Sequence, residues 1–103
     1  MEDAFRAIAE PRRREILRLV CDRELSAGEI AAYFDVTRPA ISQHLTILKH
    51  ARLLSERREG ARRLYRTRLE GLTQVRAFLD QFWDERLDLL KRAAEAAERD
   101  RER

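Results

Sequence analysis

Apolar positions recur along this chain in steps of three and four residues, broken once by a short arginine-rich stretch of a different rhythm. Phe5 and Ile8 begin the pattern and predict a short helix over residues 3–9. Pro11 then opens a second helix, predicted over 11–23. Proline suits a first helical turn because its missing N–H would have had no partner there. Ile16, Leu19 and Val20 give this helix one apolar side, and Cys21 stands at its end.

The segment "LSAGEI" carries two start signals. Ser26 and Glu29 have the spacing of a capping box, and Leu25 and Ile30 that of a hydrophobic staple across it. Ile30, Tyr33 and Phe34 extend the apolar face to about residue 34. Only "DVT" separates this helix from the next, where Asp35 can adopt a left-handed conformation, though less easily than glycine. Thr37 caps the following helix, Pro39 lies in its first turn, and Val36 with Ile41 repeats the staple. Ile41, Leu45 and Leu48 form its buried stripe as far as about residue 51. Two helices joined by a tight turn over 26–51, the second with a narrow apolar stripe, make a helix-turn-helix.

The stretch "LLSERREGARRLYRT" alternates instead, and a turn near Glu59-Gly60 divides it into two strands. This hairpin, placed at 53–68, is the wing of a winged helix-turn-helix. Arg57, Arg58, Arg62 and Arg63 crowd its tip. A last helix is predicted over 70–97. Its apolar positions, Val75, Phe78, Leu79, Phe82, Trp83, Leu87 and Leu90, are too many for a terminal helix lying on so small a domain. A second copy of the chain is the simplest cover, with Phe5 and Ile8 joining the interface. The final "AAERDRER" is expected to fray. The fold class is therefore mainly α with a small β-hairpin, α-α-α-α-β-β-α, one domain over 1–103 dimerised through its first and last helices.

Composition narrows the function. The chain has 103 residues, 22 Lys and Arg against 19 Asp and Glu, and a net charge of +3. The stretch from Arg38 to Arg68 holds nine basic residues and two acidic ones, so positive charge is concentrated there and the rest is mildly acidic. One basic section on an otherwise acidic chain is the footprint of a polyanion. No apolar run approaches the roughly 20 residues that cross a bilayer. The acidic start "MEDAFRAIAE" does not read as a signal peptide. With a single cysteine, Cys21, the chain cannot form an internal disulfide, and a cytoplasmic location is expected. Glycine-rich phosphate loops and nucleophile–base groupings are missing, so no enzyme and no cofactor are predicted.

The two histidines, His44 and His50, both lie in "TRPAISQHLTILKHARLL". Six residues apart on one helix, they point about 240° apart and cannot share an ion. No metal site is predicted from them. The polar side of the same helix suits DNA better. Thr37, Arg38, Ala40, Ser42, Gln43 and Thr46 lie off the buried stripe. Small residues there let a backbone approach the major groove, and Gln43 can pair with a base edge. Arg38 can take guanine or phosphate, and His44 a phosphate. The four wing arginines would follow the backbone or enter the minor groove. Gln43→Ala should then relax sequence preference, whereas Arg62→Ala should weaken all sequences alike and flatten the salt dependence.

In this order, "AEPRRREILRLV", "ELSAGEIAAYFDVTRPAISQHLTILKHARLL" and "RREGARRLYR" resemble the second helix, helix-turn-helix and wing of the ArsR/SmtB family of bacterial winged-helix repressors. The likeness covers about residues 3–90. It implies a homodimer on palindromic operator DNA that represses a transcription unit, with room for an inducer the residues do not identify. Ser26 and Gly28 stand where one metal-sensing branch would have cysteines, and the last helix has no histidine for the other known site. The chain therefore resembles the branch without the usual metal sites. Two alternatives stay open: a metal- or redox-responsive repressor using Cys21 or another site, and an architectural DNA-binding dimer without sequence preference. As a lone thiol on a helix, Cys21 reads more simply as a small buried hydrophobe.

Overall fold

The computed structural model describes residues 2–102. Its elements run α1 (Glu2–Ile8), α2 (Pro11–Leu19), α3 (Ala27–Ala31), α4 (Arg38–His50), β1 (Leu54–Glu59), β2 (Arg62–Thr67) and α5 (Leu69–Arg101). The order is the one the sequence predicts. β1 and β2 form an antiparallel hairpin in which Leu54 faces Thr67 and Glu59 faces Arg62. Gly60 takes the positive φ, 63°, that its turn requires.

The core gathers the predicted stripes. Ile16, Val20, Ile30, Ile41, Leu48 and Leu53 are completely buried, with Ala4 and Ala7 of α1 beside them. Both start signals are present. Glu29 N–H donates to Ser26 Oγ at 3.2 Å, and Ser26 N–H donates to Glu29 Oε1 at 2.9 Å. Ala40 N–H donates to Thr37 Oγ1 at 3.3 Å. Of the two staple pairs, Ile30 and Ile41 lie in the core, and Leu25 and Val36 are partly buried against it.

Several expectations need correction. α2 ends at Leu19, not near 23, because the hairpin captures its last carbonyls: Thr67 Oγ1 donates to Leu17 O at 2.8 Å and Thr67 N–H to Val20 O at 3.0 Å. The chain then bends, and Leu25 pairs with Tyr65 as a one-residue third strand. Cys21 is consequently exposed just past the helix rather than buried. α3 stops at Ala31, Tyr33 is 57% exposed, and Asp35 is not left-handed. The positive φ at a residue other than glycine falls instead on Arg52, at 62°. It closes α4 as a Schellman motif: Leu53 N–H donates to Leu48 O at 2.9 Å and Arg52 N–H to Lys49 O at 3.0 Å. Leu48 and Leu53, the apolar pair of that motif, are both buried.

α5 departs most from its predicted bounds. It continues to Arg101 through the segment expected to fray. That stretch is rich in Ala, Glu and Arg, strong helix formers, and Arg101 pairs with Glu98 at 3.7 Å. Only its start is anchored. Gly71 lies so close to the Arg52 carbonyl that a Cβ there would sit 2.1 Å from the oxygen. Val75 is 6% exposed, inside the protomer's own core rather than free for a partner. Beyond Phe78, which still meets Phe5 of α1, the helix leaves the domain, and the molecule measures 75 × 25 × 23 Å. No described helix is long and apolar enough to cross a membrane.

Candidate nucleic-acid interface

α4 buries Ile41, Leu45 and Leu48 and turns its other side to solvent. Thr37, Arg38, Ser42, Gln43 and Thr46 are exposed, while Ala40 and His44 are half-buried. These are all the helix positions the sequence assigns to DNA, and all lie off the buried stripe of Ile41, Leu45 and Leu48. Their hydroxyls are not equally free. Thr37 Oγ1 caps the helix, and Thr46 Oγ1 donates back to Ser42 O at 3.0 Å. Arg38 folds over Gly28, where an added Cβ would come 3.8 Å from its guanidinium carbon. It thereby lines a groove of about 420 Å³ between the helix-turn-helix and the hairpin, with Ser42, Arg62, Arg63 and Tyr65.

His44 touches Arg13 rather than His50, which is exposed near the end of α4. Arg13 NH1 lies 3.5 Å from His44 Nδ1. A guanidinium only donates, so Nδ1 is the acceptor and the proton of the neutral ring sits on Nε2. Burial and the Arg13 charge both disfavour imidazolium and hold the His44 pKa below the ordinary value. The rest of the Arg13 fork donates to Ala7 O at 2.6 Å and Arg6 O at 3.1 Å, closing the end of α1. One side chain thus links the first helix to α4, and no local pattern in the sequence announces it.

The wing arginines are exposed, yet most are already occupied. Arg57 grips Glu24 with two bonds of 2.9 and 3.0 Å and reaches Glu59 at 3.1 Å. Arg62 pairs with Glu29. Arg63 pairs with Glu56 at 3.4 Å, and Lys49 of α4 bonds the same carboxylate. Among the described residues Arg58 has no such partner. The guanidinium hydrogen bond holds the Glu24 carboxyl below the usual range, and that of Lys49 does so for Glu56. Glu29 is lowered first by its cap bonds to Ser26 and then by Arg62. Glu24 and Glu29 each meet an arginine 33 residues further on. Sequence reasoning missed both as partners of the wing, since only the folded hairpin brings them there.

On α5, Phe78, Leu79, Phe82, Trp83, Leu87 and Leu90 are between 48% and 66% exposed. Leu89, not foreseen, is exposed as well. Phe5 and Ile8 are partly buried against the core, and Phe5 meets Phe78 edge to face at 5.3 Å between ring centres. The described residues contain no group of three or more His, Cys, Asp or Glu placed to hold a metal.

Comparison with known proteins agrees with this architecture. A profile described as "Bacterial regulatory protein, arsR family" matches residues 10–56. The HTH-type transcriptional regulator Rv2034 of Mycobacterium tuberculosis is 44% identical over 80 residues, which is 78% of this chain and 75% of that protein. The transcriptional repressor SdpR of Bacillus subtilis is 45% identical over 60 residues, 58% of this chain and 67% of the relative. Among solved structures, the homodimeric winged helix-turn-helix DNA-binding domain Mb0332 of Mycobacterium bovis superposes with a TM-score of 0.66 at 31% identity, covering 82% of this chain and 78% of its own. With a helix-turn-helix, a wing and relatives of this similarity, the chain is a winged helix-turn-helix transcriptional regulator and belongs to the arsR family of bacterial regulatory proteins.

Proposed function

We propose that the protein is a homodimeric repressor that binds a palindromic operator, with α4 in the major groove and the hairpin on the flanking backbone. The observation that carries this reading is the division of α4: its stripe is buried while Ser42, Gln43 and Thr46 stand in solvent beside a basic hairpin. Gln43 reads a base edge, and Ser42 and Thr46 meet base edges or phosphates. Thr37 and Ala40 let the start of the helix approach. Arg38 takes guanine or a phosphate. His44 donates from Nε2 to a phosphate, and Arg57, Arg58, Arg62 and Arg63 follow the strands.

The second copy of the chain covers Phe78, Leu79, Phe82, Trp83, Leu87 and Leu90. Burying the half of each still exposed contributes about 1 kcal/mol apiece. A two-fold pair places two α4 helices on successive turns, about 34 Å apart, so the operator carries inverted half-sites at that spacing. Selection of bound duplexes from a random pool tests this. An enriched inverted repeat with one helical turn between half-site centres is expected. Recovery of unrelated sequences would favour an architectural binder instead.

A further inference from the structure

Three carboxylates hold the positive charge that the hairpin would offer to DNA. They come from three places: Glu24 from the bend after α2, Glu29 from α3, and Glu56 from β1 itself. Their partners, Arg57, Arg62 and Arg63, are the arginines that would meet phosphate. A carboxylate and a backbone phosphate each present a pair of anionic oxygens that a guanidinium can grip with two N–H groups, so they compete for the same fork. We propose that Glu24 and Glu29, with Glu56 beside them, are internal counter-ions of the wing, so that docking on DNA exchanges carboxylate for phosphate and the protein's affinity and salt dependence fall below what its arginines alone would give. This rests on the DNA-binding reading above and deepens it.

The physical consequence has a definite sign. An unpaired arginine that neutralises a phosphate releases condensed cations from the duplex, about 0.9 unit of salt slope each. A paired one brings its carboxylate to the same surface, so the gain in neutralisation is largely cancelled. The exchange is the same for every sequence. It therefore scales affinity on all duplexes and leaves the preference set by α4 untouched. Glu29 adds a constraint, since it also closes the cap on Ser26. Glutamine can fill that capping position too, so Glu29→Gln removes the charge and keeps the cap.

The test uses the full chain, a random-sequence duplex and the duplex enriched by selection. Binding is titrated over a range of salt for wild type, the Glu24→Gln/Glu29→Gln pair, and a Glu95→Gln/Glu98→Gln pair on the far part of α5 that changes net charge equally. The wing pair should bind both duplexes tighter, about threefold or more, with a slope steeper by about 1–2 units. The remote pair should change little. Arg58→Ala should flatten the slope by about 0.9 unit, and Arg57→Ala by clearly less. Unchanged or weaker binding by the wing pair, an equal gain from the remote pair, or equal losses from Arg57→Ala and Arg58→Ala would each overturn the proposal. If the wild type binds neither duplex, the DNA-binding reading itself falls and takes this one with it.

Discussion

Gln43 presents its amide to solvent from the middle of the exposed α4 face. Truncating it to alanine should cost roughly 1–3 kcal/mol on a selected operator and much less on a scrambled duplex, as read by paired titrations. Equal losses on the two would show that it does not read sequence. His44 makes a prediction about pH. Its folded pKa lies below the ordinary value of about 6.5, because burial and Arg13 disfavour the charged ring. The unfolded chain therefore binds the proton more readily. Stability is full above about pH 6.5 and declines as pH falls through the window between the unfolded value and the lower folded one. Thermal melts from about pH 7 to 5.5 should show this decline in wild type and a smaller one in His44→Gln. The Glu24, Glu29 and Glu56 pairs act further down: their lowered carboxyls contribute stability above the ordinary carboxylate range and lose it in more acid solution. At this scale the sequence reveals which residues point outward, from period alone. It conceals what touches them, because Arg13 and His44 are 31 residues apart and Glu24 and Arg57 are 33.

Among the elements, the joint between α4, β1 and α5 is the most constrained. Arg52 is left-handed to close the Schellman motif, and its carbonyl receives Arg68 NH1 at 3.0 Å while it abuts Gly71. Only the Arg52 backbone is used there. Arg52→Gly should remove the left-handed penalty, partly offset by glycine's greater freedom when unfolded, for a net gain of about 0.5–1 kcal/mol. Gly71→Ala tests the other side of the contact. Alanine favours a helix by about 1 kcal/mol over glycine. A Cβ against the Arg52 carbonyl, however, forces backbone apart at a cost of about 1–3 kcal/mol or more, and the clash should win. Denaturant melts should rank Arg52→Gly above wild type and Gly71→Ala below it. The caps at Ser26 and Thr37 were legible because their bonds span three residues. The end of α2 was not, because Thr67, fifty residues away from Leu17, sets it.

For the whole molecule, the decisive feature is a helix that leaves its domain. α5 buries Val75 and little after it, and its large apolar residues remain about half exposed. Sedimentation should find a dimer in the wild type. Phe82→Glu places a charge in the middle of that stripe and should yield monomers with an unchanged winged domain by circular dichroism. Its operator affinity should drop by orders of magnitude, because two half-sites are no longer engaged together. A monomer that binds the operator as tightly as wild type would remove the dimer from the account.

The sequence by itself determined the element order, the caps, the buried stripe of α4 and the amphipathic excess of α5. All of these follow from period and from contacts within one or two turns of chain. Only the tertiary structure decided where α2 stops, which residue turns left-handed, that Val75 faces inward and that the hairpin's arginines arrive already paired. Several of those outcomes depend on groups 16 to 50 residues apart, such as Arg52 with Arg68, Glu29 with Arg62 and Leu17 with Thr67, whose separation has no period to read.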